Sequence, residues 1–279
     1  MPDIACVNGR FGPLAQAVVS VEDRGFQFGD GVYEVIRTYR GRPFQTDAHL
    51  ARLERSLHAL QLPSPHPRTQ WATLIEEGLR LSGFPETKIY MQVTRGQAPR
   101  DHPFPTGASP TVVLTFRELR PPDEAIRHTG VPAVTVEDVR WGRCDIKSLN
   151  LLGNVLARQQ AKEAGAFEAI LVRDGVVTEG SVSNVMVVRD GALYTAPEGP
   201  RILSGVTRTL MIELASKEGI PVHETFVVKN DLYSASEVLL TGTTVEVVSV
   251  VRVDGRTIGS GAPGPVSKRL ARRWVELIA

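Results

Sequence analysis

The stretch that decides the fold reads RWGRCDIKSLNLLGN at Arg140–Asn154 and, after a helix and a strand, VVTEGSVSNV at Val176–Val185. Lys147 lies between apolar Ile146 and Leu149, just before a strongly helical segment, so we expect its amine to sit near packed structure and to be partly desolvated. A desolvated lysine can lose its proton and attack a carbonyl carbon. Most lysines near the start of a helix are solvated surface charges, so Lys147 alone does not establish a catalytic role.

Glu179 favours the catalytic role. It follows a hairpin whose turn is Asp174-Gly175, and the Gly-Ser-Val-Ser-Asn run after it, which contains Ser181, is rich in backbone and hydroxyl donors. A reactive lysine, a fixed carboxylate and a donor-rich loop together meet the requirements of pyridoxal 5'-phosphate (PLP) chemistry. The lysine forms an imine with the cofactor, the carboxylate keeps the pyridine nitrogen protonated, and Gly/Ser/Thr loops hold the phosphate.

These motifs resemble the signature of fold-type IV PLP-dependent transaminases and, more narrowly, of their D-amino acid transaminase branch. The resemblance rests on Arg143–Leu152, Val177–Ser181 and Ser183–Val185, and it extends from Asp23 to the C-terminal helix. It implies that Lys147 is the catalytic residue, holding PLP as a Schiff base and moving the substrate Cα proton as general base and acid. The implied reaction is transamination between a D-amino acid, such as D-alanine, and a 2-oxo acid, such as 2-oxoglutarate.

Two segments are expected to hold the cofactor phosphate. Ile202–Thr207 leads into a helix whose free N-terminal amides and positive dipole end suit a dianion, although the same groups would serve a plain helix cap. The resemblance implies a second phosphate loop after the strand that ends near Thr241, where the simpler interpretation is a turn. The expected contacts are Gly205, Val206, Thr207, Gly242, Thr243 and Thr244. The family often has serine where Gly242 and Val182 stand, so two hydroxyl groups are missing here.

Arg52 has two interpretations. It lies off an apolar helix stripe formed by leucines at positions 50, 53, 57 and 60, so the helix pattern alone predicts a solvated side chain. The resemblance implies instead that Arg52, in its His-x-x-Arg-Leu context, binds the cofactor phosphate, which suits a planar bidentate donor.

A loop rich in proline and cations, Arg95–Pro105, follows a predicted strand. On its own it could be a rigid surface connector. By resemblance, Arg100 and His102 in this loop join Tyr33 in a trap for the substrate α-carboxylate, to which a guanidinium, an imidazole and a phenol can all donate. The resemblance also implies a homodimer in which one subunit's Arg100 and His102 serve the active site of the other.

Composition excludes several classes of protein. The net charge of +1 gives no basic field of the kind that nucleic-acid binders use. No apolar run approaches the ~20 residues that a membrane helix needs, and Met1-Pro2-Asp3 lacks the features of a signal peptide, so we expect a cytoplasmic enzyme without a membrane partner. Cys6 and Cys144 have neither metal-ligand spacing nor enough partners for a disulfide framework, so we expect reduced thiols and no metal site.

We expect a mixed fold, α+β or α/β, in two domains. Residues 1–120 should form a small N-terminal α/β domain, and residues 121–279 a larger PLP-binding domain with a mostly antiparallel sheet or barrel, with the boundary near Pro121. The hairpin turns at Asn8-Gly9, Asp174-Gly175 and Asp190-Gly191 support the antiparallel pairing.

Other functions fit less well. The chain has no P-loop or Gly-x-Gly-x-x-Gly after a strand, and its serines do not form a nucleophile elbow. A periplasmic amino-acid receptor would need a signal peptide and would have no use for Lys147. Within the family, a branched-chain L-amino acid transaminase, an R-selective amine transaminase and 4-amino-4-deoxychorismate lyase remain alternatives, and Tyr33, Arg100 and His102 favour the D-amino acid branch.

Overall fold

A computed structural model describes residues 2–120 and 123–279. Their contacts divide them into two compact units, one made of the described residues of Met1–Pro121 with Ile146–Asn150, the other of those of Pro122–Asp145 with Leu151–Ala279. The predicted boundary near Pro121 lies outside the described residues. The units differ from the predicted domains in one segment, because Ile146–Asn150, which carries Lys147, groups with the first unit rather than with residues 121–279.

The described part of the first unit contains a six-stranded sheet whose neighbouring strands are all antiparallel. Its strands are β1 (Ile4–Val7), β2 (Arg10–Pro13), β3 (Gly31–Tyr39), β4 (Arg42–Pro43), β5 (Thr87–Thr94) and β6 (Thr111–Glu118). Across the sheet they lie in the order β2-β1-β6-β5-β3-β4. Its helices are α1 (Arg24–Phe28), α2 (Thr46–Ala59) and α3 (Arg68–Ser82).

The core of the first unit forms where α2 and α3 cover the sheet. Three leucines of the predicted stripe, Leu50, Leu53 and Leu57, lie in α2 and are buried against strand residues such as Ile36. The fourth, Leu60, is the C-cap residue after α2 and is partly buried. Helix α3 approaches β6 closely at Gly78, where an added Cβ would lie 2.0 Å from the Phe116 ring, so only glycine fits there.

The Lys147 segment joins this unit through backbone pairing with the start of β3. The Tyr33 amide donates to the Lys147 carbonyl at 2.9 Å, and the Leu149 amide donates to the Gly31 carbonyl at 3.1 Å. Although Ile146–Asn150 is distant from β3 in sequence, it extends the hydrogen bonding of that strand. This pairing accounts for its place in the first unit.

The described part of the second unit contains a nine-stranded sheet. Its strands are β7 (Val131–Glu137), β8 (Glu168–Arg173), β9 (Val176–Gly180), β10 (Asn184–Arg189), β11 (Ala192–Thr195), β12 (Val222–Glu224), β13 (Glu237–Gly242), β14 (Glu246–Val253) and β15 (Arg256–Thr257). The order is β12-β11-β10-β13-β14-β7-β8-β9, with β15 beside β14. Its helices are α4 (Glu124–Thr129), α5 (Leu152–Glu163), α6 (Val206–Lys217), α7 (Lys229–Tyr233) and α8 (Pro265–Ile278).

The predicted mixed fold is confirmed. In the second sheet most neighbours are antiparallel, as expected, while β11–β12, β14–β7 and β7–β8 are parallel. The two hairpin turns predicted in this unit form: Asp174-Gly175 joins β8 to β9, Asp190-Gly191 joins β10 to β11, and all four residues have the positive φ angles that such turns need. These turns place Glu179 on β9 and Asn184 on β10. None of the helices in the described ranges is long and apolar enough to cross a membrane.

Candidate active site

Lys147 is half-buried in the first unit, and its main chain is held on both sides. Its amide donates to Ser56 Oγ at 3.2 Å, while its carbonyl accepts from the Tyr33 amide. Its Nζ lies 4.2 Å from the centroid of the Tyr33 ring, a cation–π contact. The structure therefore brings together two predicted site residues, the lysine and Tyr33.

Tyr33 is itself packed against a second tyrosine. Its ring stacks on Tyr90 with centroids 5.6 Å apart, and the Tyr90 hydroxyl donates to Gln92 Oε1 at 2.6 Å. Burial, and then the neighbouring Tyr33, raise the pKa of Tyr90 to about 12, so Tyr90 keeps its proton at neutral pH. Lys147 Nζ therefore faces an aromatic ring that is itself stacked on a protonated tyrosine.

Arg52 is buried in an ion pair, so the interpretation of Arg52 as a solvated side chain is wrong. Only 5% of it is exposed. Its Nε donates to Glu34 Oε1 at 2.7 Å and its Nη2 to Glu34 Oε2 at 2.9 Å, while His49 Nδ1 lies 2.8 Å from Glu34 Oε2. The alternation of β3 places Glu34 on the buried side with Val32 and Ile36, where α2 presents the cation. A glutamate at an inward strand position is the signal in the sequence that could have identified this pair.

The pKa values of this cluster follow from its burial and charge. Burial alone would raise the pKa of Glu34, but the charge of Arg52 and the hydrogen bonds from Arg52 and His49 outweigh it and lower the pKa. The pKa of His49 is lowered, first by burial and then by the nearby cations Arg52 and Lys147, against the opposing effect of Glu34. His49 and Glu34 were not identified as site residues from the sequence.

Arg100 and His102 are exposed on the loop between β5 and β6. Arg100 Nη1 donates to the Gln27 carbonyl at 3.1 Å, and its Cζ lies 4.5 Å from the centroid of the Phe28 ring. The His102 ring lies 5.5 Å from the same ring. The structure thus brings these two predicted trap residues together at the end of α1, whereas the ring of Tyr33 contacts Lys147 and Tyr90 instead.

Glu179 is buried in the second unit and anchored through both carboxylate oxygens. Arg140 Nη1 donates to Oε1, while Asn184 Nδ2 and the Leu203 amide each donate to Oε2 at 3.0 Å. Three donors from different segments fix the orientation of this carboxylate. A carboxylate held in this way suits a partner that carries its own proton, such as a protonated ring nitrogen.

Arg140 connects Glu179 to a second buried carboxylate, that of Asp138, so charges of opposite sign alternate along this cluster. Arg140 pairs through Nε and Nη2 with Asp138 at 2.8 Å each, and Asp138 also accepts from Arg173 Nη2 at 3.0 Å and Thr178 Oγ1 at 2.9 Å. Burial opposes the charge on Arg140, but hydrogen bonds and charges from Asp138 and Glu179 raise its pKa overall. Burial likewise opposes the charge on Asp138, yet Arg140 lowers the pKa of Asp138. Neither residue was identified from the sequence, although an Asp-x-Arg pair after a strand was visible.

The Ser181 hydroxyl donates to Glu168, a fully buried carboxylate that also accepts from Ser183 Oγ at 2.8 Å. The Ser181 carbonyl accepts from Asn154 Nδ2 at 2.7 Å. The cofactor contact expected of Ser181 remains a prediction, and this hydroxyl already has a carboxylate partner within its own unit.

The expected phosphate contacts of the second unit gather around Asn184. Helix α6 begins at Val206, followed by the buried Thr207, and its N-cap is Gly205, where an added Cβ would lie 2.0 Å from Asn184 Oδ1. Asn184 pairs across the sheet with Thr241. Gly242 ends β13, and half-buried Thr243 and Thr244 form the turn to β14.

Each unit contains groups that fit a part of PLP. In the second unit, Glu179 suits the ring nitrogen, and the N-terminus of the 12-residue helix α6, which receives no side-chain cap, suits the phosphate. The buried Thr241 Oγ1 has no hydrogen-bond partner among the described residues, which marks an unsatisfied polar group beside this loop. In the first unit, Lys147 would supply the primary amine through which PLP is held.

Comparisons with known proteins agree with this geometry. The sequence profile of amino-transferase class IV matches residues 31–253. The chain is 45% identical to a D-alanine aminotransferase of Bacillus licheniformis over 94% of this chain and 93% of that protein, and 43% identical to one of Staphylococcus haemolyticus over 95% and 94%.

Solved structures of branched-chain amino acid aminotransferases share the fold. The Escherichia coli enzyme superimposes with a TM-score of 0.93 at 27% identity, covering 100% of this chain and 95% of that one. The T.th. enzyme with pyridoxamine 5'-phosphate gives a TM-score of 0.91 at 30% identity, covering 99% and 93%. The chain therefore belongs to amino-transferase class IV and is a PLP-dependent aminotransferase.

Proposed function

We propose that the protein transfers an amino group between a D-amino acid, such as D-alanine, and a 2-oxo acid, such as 2-oxoglutarate. The observation that carries this choice within the family is that Arg100 and His102 both contact the Phe28 ring, which brings a guanidinium and an imidazole to the same end of α1. Both groups donate to a carboxylate, as the recognition of an α-carboxylate requires. The D-alanine aminotransferase relatives support the same choice.

Lys147 is the acid–base residue of this proposal. When bound, PLP supplies an electron sink for the negative charge that develops at the substrate Cα. Lys147 Nζ removes the Cα proton and returns a proton later, which is general base and then general acid catalysis. Hydrogen bonds to Ser56 and Tyr33 fix its main chain, so only the flexible side chain moves when Nζ carries the proton.

Glu179 and the phosphate-binding residues orient the cofactor. Glu179 holds a proton at the pyridine nitrogen, and its three donors keep the carboxylate from turning away. The remaining cofactor contacts in the proposal are Arg52, Ser181, Gly205, Val206, Thr207, Gly242, Thr243 and Thr244. For Arg52, the bidentate pair with Glu34 sets the plane of the guanidinium, which a phosphate contact would use.

A homodimer is part of the proposal. One face of α5 exposes three apolar side chains at helical spacing, Leu152 at 78%, Val155 at 58% and Leu156 at 57%. An exposed apolar stripe of this kind suits a two-fold interface between copies of the chain. A cytoplasmic location, which the sequence predicts, also remains part of the proposal.

A donor panel tests the proposed function. Steady-state rates of the holoenzyme with 2-oxoglutarate are measured for D-alanine, L-leucine and an R-amine without a carboxylate, in the wild type and in Arg100→Ala. Losing a charge-assisted bond costs about 1.5–3 kcal/mol, so kcat/KM for D-alanine should fall about ten- to a hundredfold while the R-amine is spared.

The alternatives predict different results for the same panel. A wild type that prefers L-leucine would identify a branched-chain L-amino acid transaminase, and one that prefers the R-amine would identify an amine transaminase. Release of 4-aminobenzoate from 4-amino-4-deoxychorismate, without amino transfer, would identify the lyase. An Arg100→Ala variant that loses all donors equally would contradict the carboxylate trap.

A further inference from the structure

A buried arginine in α1 holds the backbone of the loop that carries Arg100 and His102. Arg24 is only 3% exposed, and its Nε pairs with Asp30 Oδ2 at 2.8 Å. The other end of its guanidinium donates to two loop carbonyls, that of Asp101 at 2.5 Å and that of His102 at 3.1 Å. Burying an arginine is unfavourable unless its donors are satisfied, and here the loop backbone satisfies them. The position of the His102 main chain is therefore coupled to Arg24.

Asp30 connects this contact to the base of the same loop. Its Oδ2 also accepts from Arg95 Nε at 2.9 Å, and Arg95 donates to the Leu60 carbonyl at 2.8 Å and the Gln61 carbonyl at 3.2 Å. One carboxylate thus joins two arginines that hold the loop at its start and near His102. Paired and hydrogen-bonded charges of this kind give a specific geometry rather than a general attraction.

Phe28, the last residue of α1, contacts the side chains that the loop presents. Its ring centroid lies 4.5 Å from Arg100 Cζ, 4.8 Å from Arg24 Cζ and 5.5 Å from the His102 ring. Gly29 then ends the helix in the left-handed conformation, with φ 68°, so the ring stands at a sharp turn of the chain. An aromatic face against the exposed guanidinium of Arg100 and the ring of His102 reduces the number of orientations that these side chains adopt.

We propose that α1 is the positioning element of the substrate carboxylate site: Arg24 sets the loop backbone at His102, and the Phe28 ring sets the directions of the Arg100 and His102 side chains. This inference rests on the proposed function, because it assigns a purpose to the geometry of those two residues. Neither Arg24 nor Phe28 contacts substrate in this assignment; both act through the loop.

The test uses Phe28→Leu, because Phe28 is half-buried and leucine keeps an apolar side chain there. Loss of the cation–π contacts should raise KM for D-alanine about three- to tenfold, with kcat nearly unchanged. The inhibition constant of propionate, a carboxylate without an amino group, should rise by a similar factor, while the rate with the R-amine should stay at the wild-type value.

Phe104→Leu is the matched control. Phe104 lies in the same loop, is 55% exposed, and stacks on Arg95 with Cζ 3.6 Å from its ring centroid. It should leave the KM for D-alanine unchanged. A second variant, Arg24→Lys, keeps a cation for Asp30 but lacks the fork that reaches both loop carbonyls, so its KM should rise in the same direction.

The outcomes separate this inference from the proposed function. A wild type that does not use D-alanine refutes the proposed function and removes the basis of the inference. A wild type that uses D-alanine, with Phe28→Leu matching Phe104→Leu, refutes the positioning role alone. Equal loss on D-alanine and the R-amine also refutes it, because that result reports general damage.

Discussion

At the scale of single residues, Lys147 combines a fixed main chain with a side chain that can still move. The two backbone hydrogen bonds at Lys147 hold its Cα, while Nζ contacts only the weakly attractive face of Tyr33 among its described partners. A proton carrier needs this combination, since it must reach two atoms in turn from one anchored position.

Lys147→Ala should abolish both the covalent attachment of PLP and turnover. Removal of a general base or acid costs at least about a hundredfold in rate, and here the attachment point of the cofactor would be lost as well. Borohydride reduction followed by mass measurement should find the PLP adduct in the wild type and not in the variant. Lys162→Ala, at an exposed position of α5, is the control and should retain the adduct. A reducible adduct with normal rates in Lys147→Ala would show that another lysine is catalytic.

Glu179→Gln should leave PLP bound but slow the removal of the Cα proton by about ten- to a hundredfold. The neutral amide cannot hold the ring nitrogen protonated, and its NH2 group would face donors such as Arg140 or the Leu203 amide. Single-turnover absorbance measurements with D-alanine report this step directly. Wild-type half-reaction rates in the variant would contradict the role given to Glu179.

At the scale of secondary-structure elements, β3 and α2 are joined by a buried cluster of charge. Glu34 is fully buried on β3, and Arg52 and His49 reach it from α2. Breaking such a pair by removing one partner leaves the other charge uncompensated in the interior. Tyr33 lies on the same strand. The buried charge cluster therefore also fixes the part of β3 against which Lys147 lies.

Glu34→Gln should destabilise the protein by about 3–5 kcal/mol at pH 7, because Arg52 loses its carboxylate. The pKa of Glu34 is lowered in the folded state, so the stabilisation is present above the ordinary value of 4.5 and is lost as the pH falls below it. The lowered pKa of His49 acts in the same direction below 6.5. Urea unfolding of both proteins at pH 7 measures the loss, and a wild-type series from pH 7 to pH 3 should show stability falling with acid.

Glu54→Gln is the control for this measurement. Glu54 makes a bidentate pair with Arg68 at 2.8 and 2.6 Å, but both side chains are exposed. Solvent screens such a pair, so its loss should change stability little. If both variants lost the same stability, burial would not be the source of the Glu34 effect.

At the scale of the whole molecule, the active enzyme should be a homodimer. Sedimentation at the concentration used for assays should give twice the mass of 30.5 kDa. Leu156→Glu on the exposed face of α5 should shift the equilibrium towards monomer and lower activity in parallel, because a charge would enter an apolar interface. A monomer with full activity would contradict both the dimer and the sharing of Arg100 and His102 between subunits.

Local chemistry explains what the sequence determined by itself. The Asp174-Gly175 and Asp190-Gly191 turns and the inward-facing leucines of α2 depend on residues a few positions apart, and the structure contains them. The motifs around Lys147 and Glu179 likewise predicted the family and PLP, which the comparisons confirm. Each of these motifs consists of consecutive residues, so it can be recognised without knowing which distant residues it contacts.

Only the tertiary structure decided which distant groups meet. It paired Arg52 with Glu34, placed Arg140 and Leu203 on Glu179, and put the segment Ile146–Asn150 beside β3. Periodicity tells which face of a strand or helix is buried, but not which element covers that face. A buried charge is stable only beside its partner, so the roles of these residues depend on the packing of elements far apart in the chain.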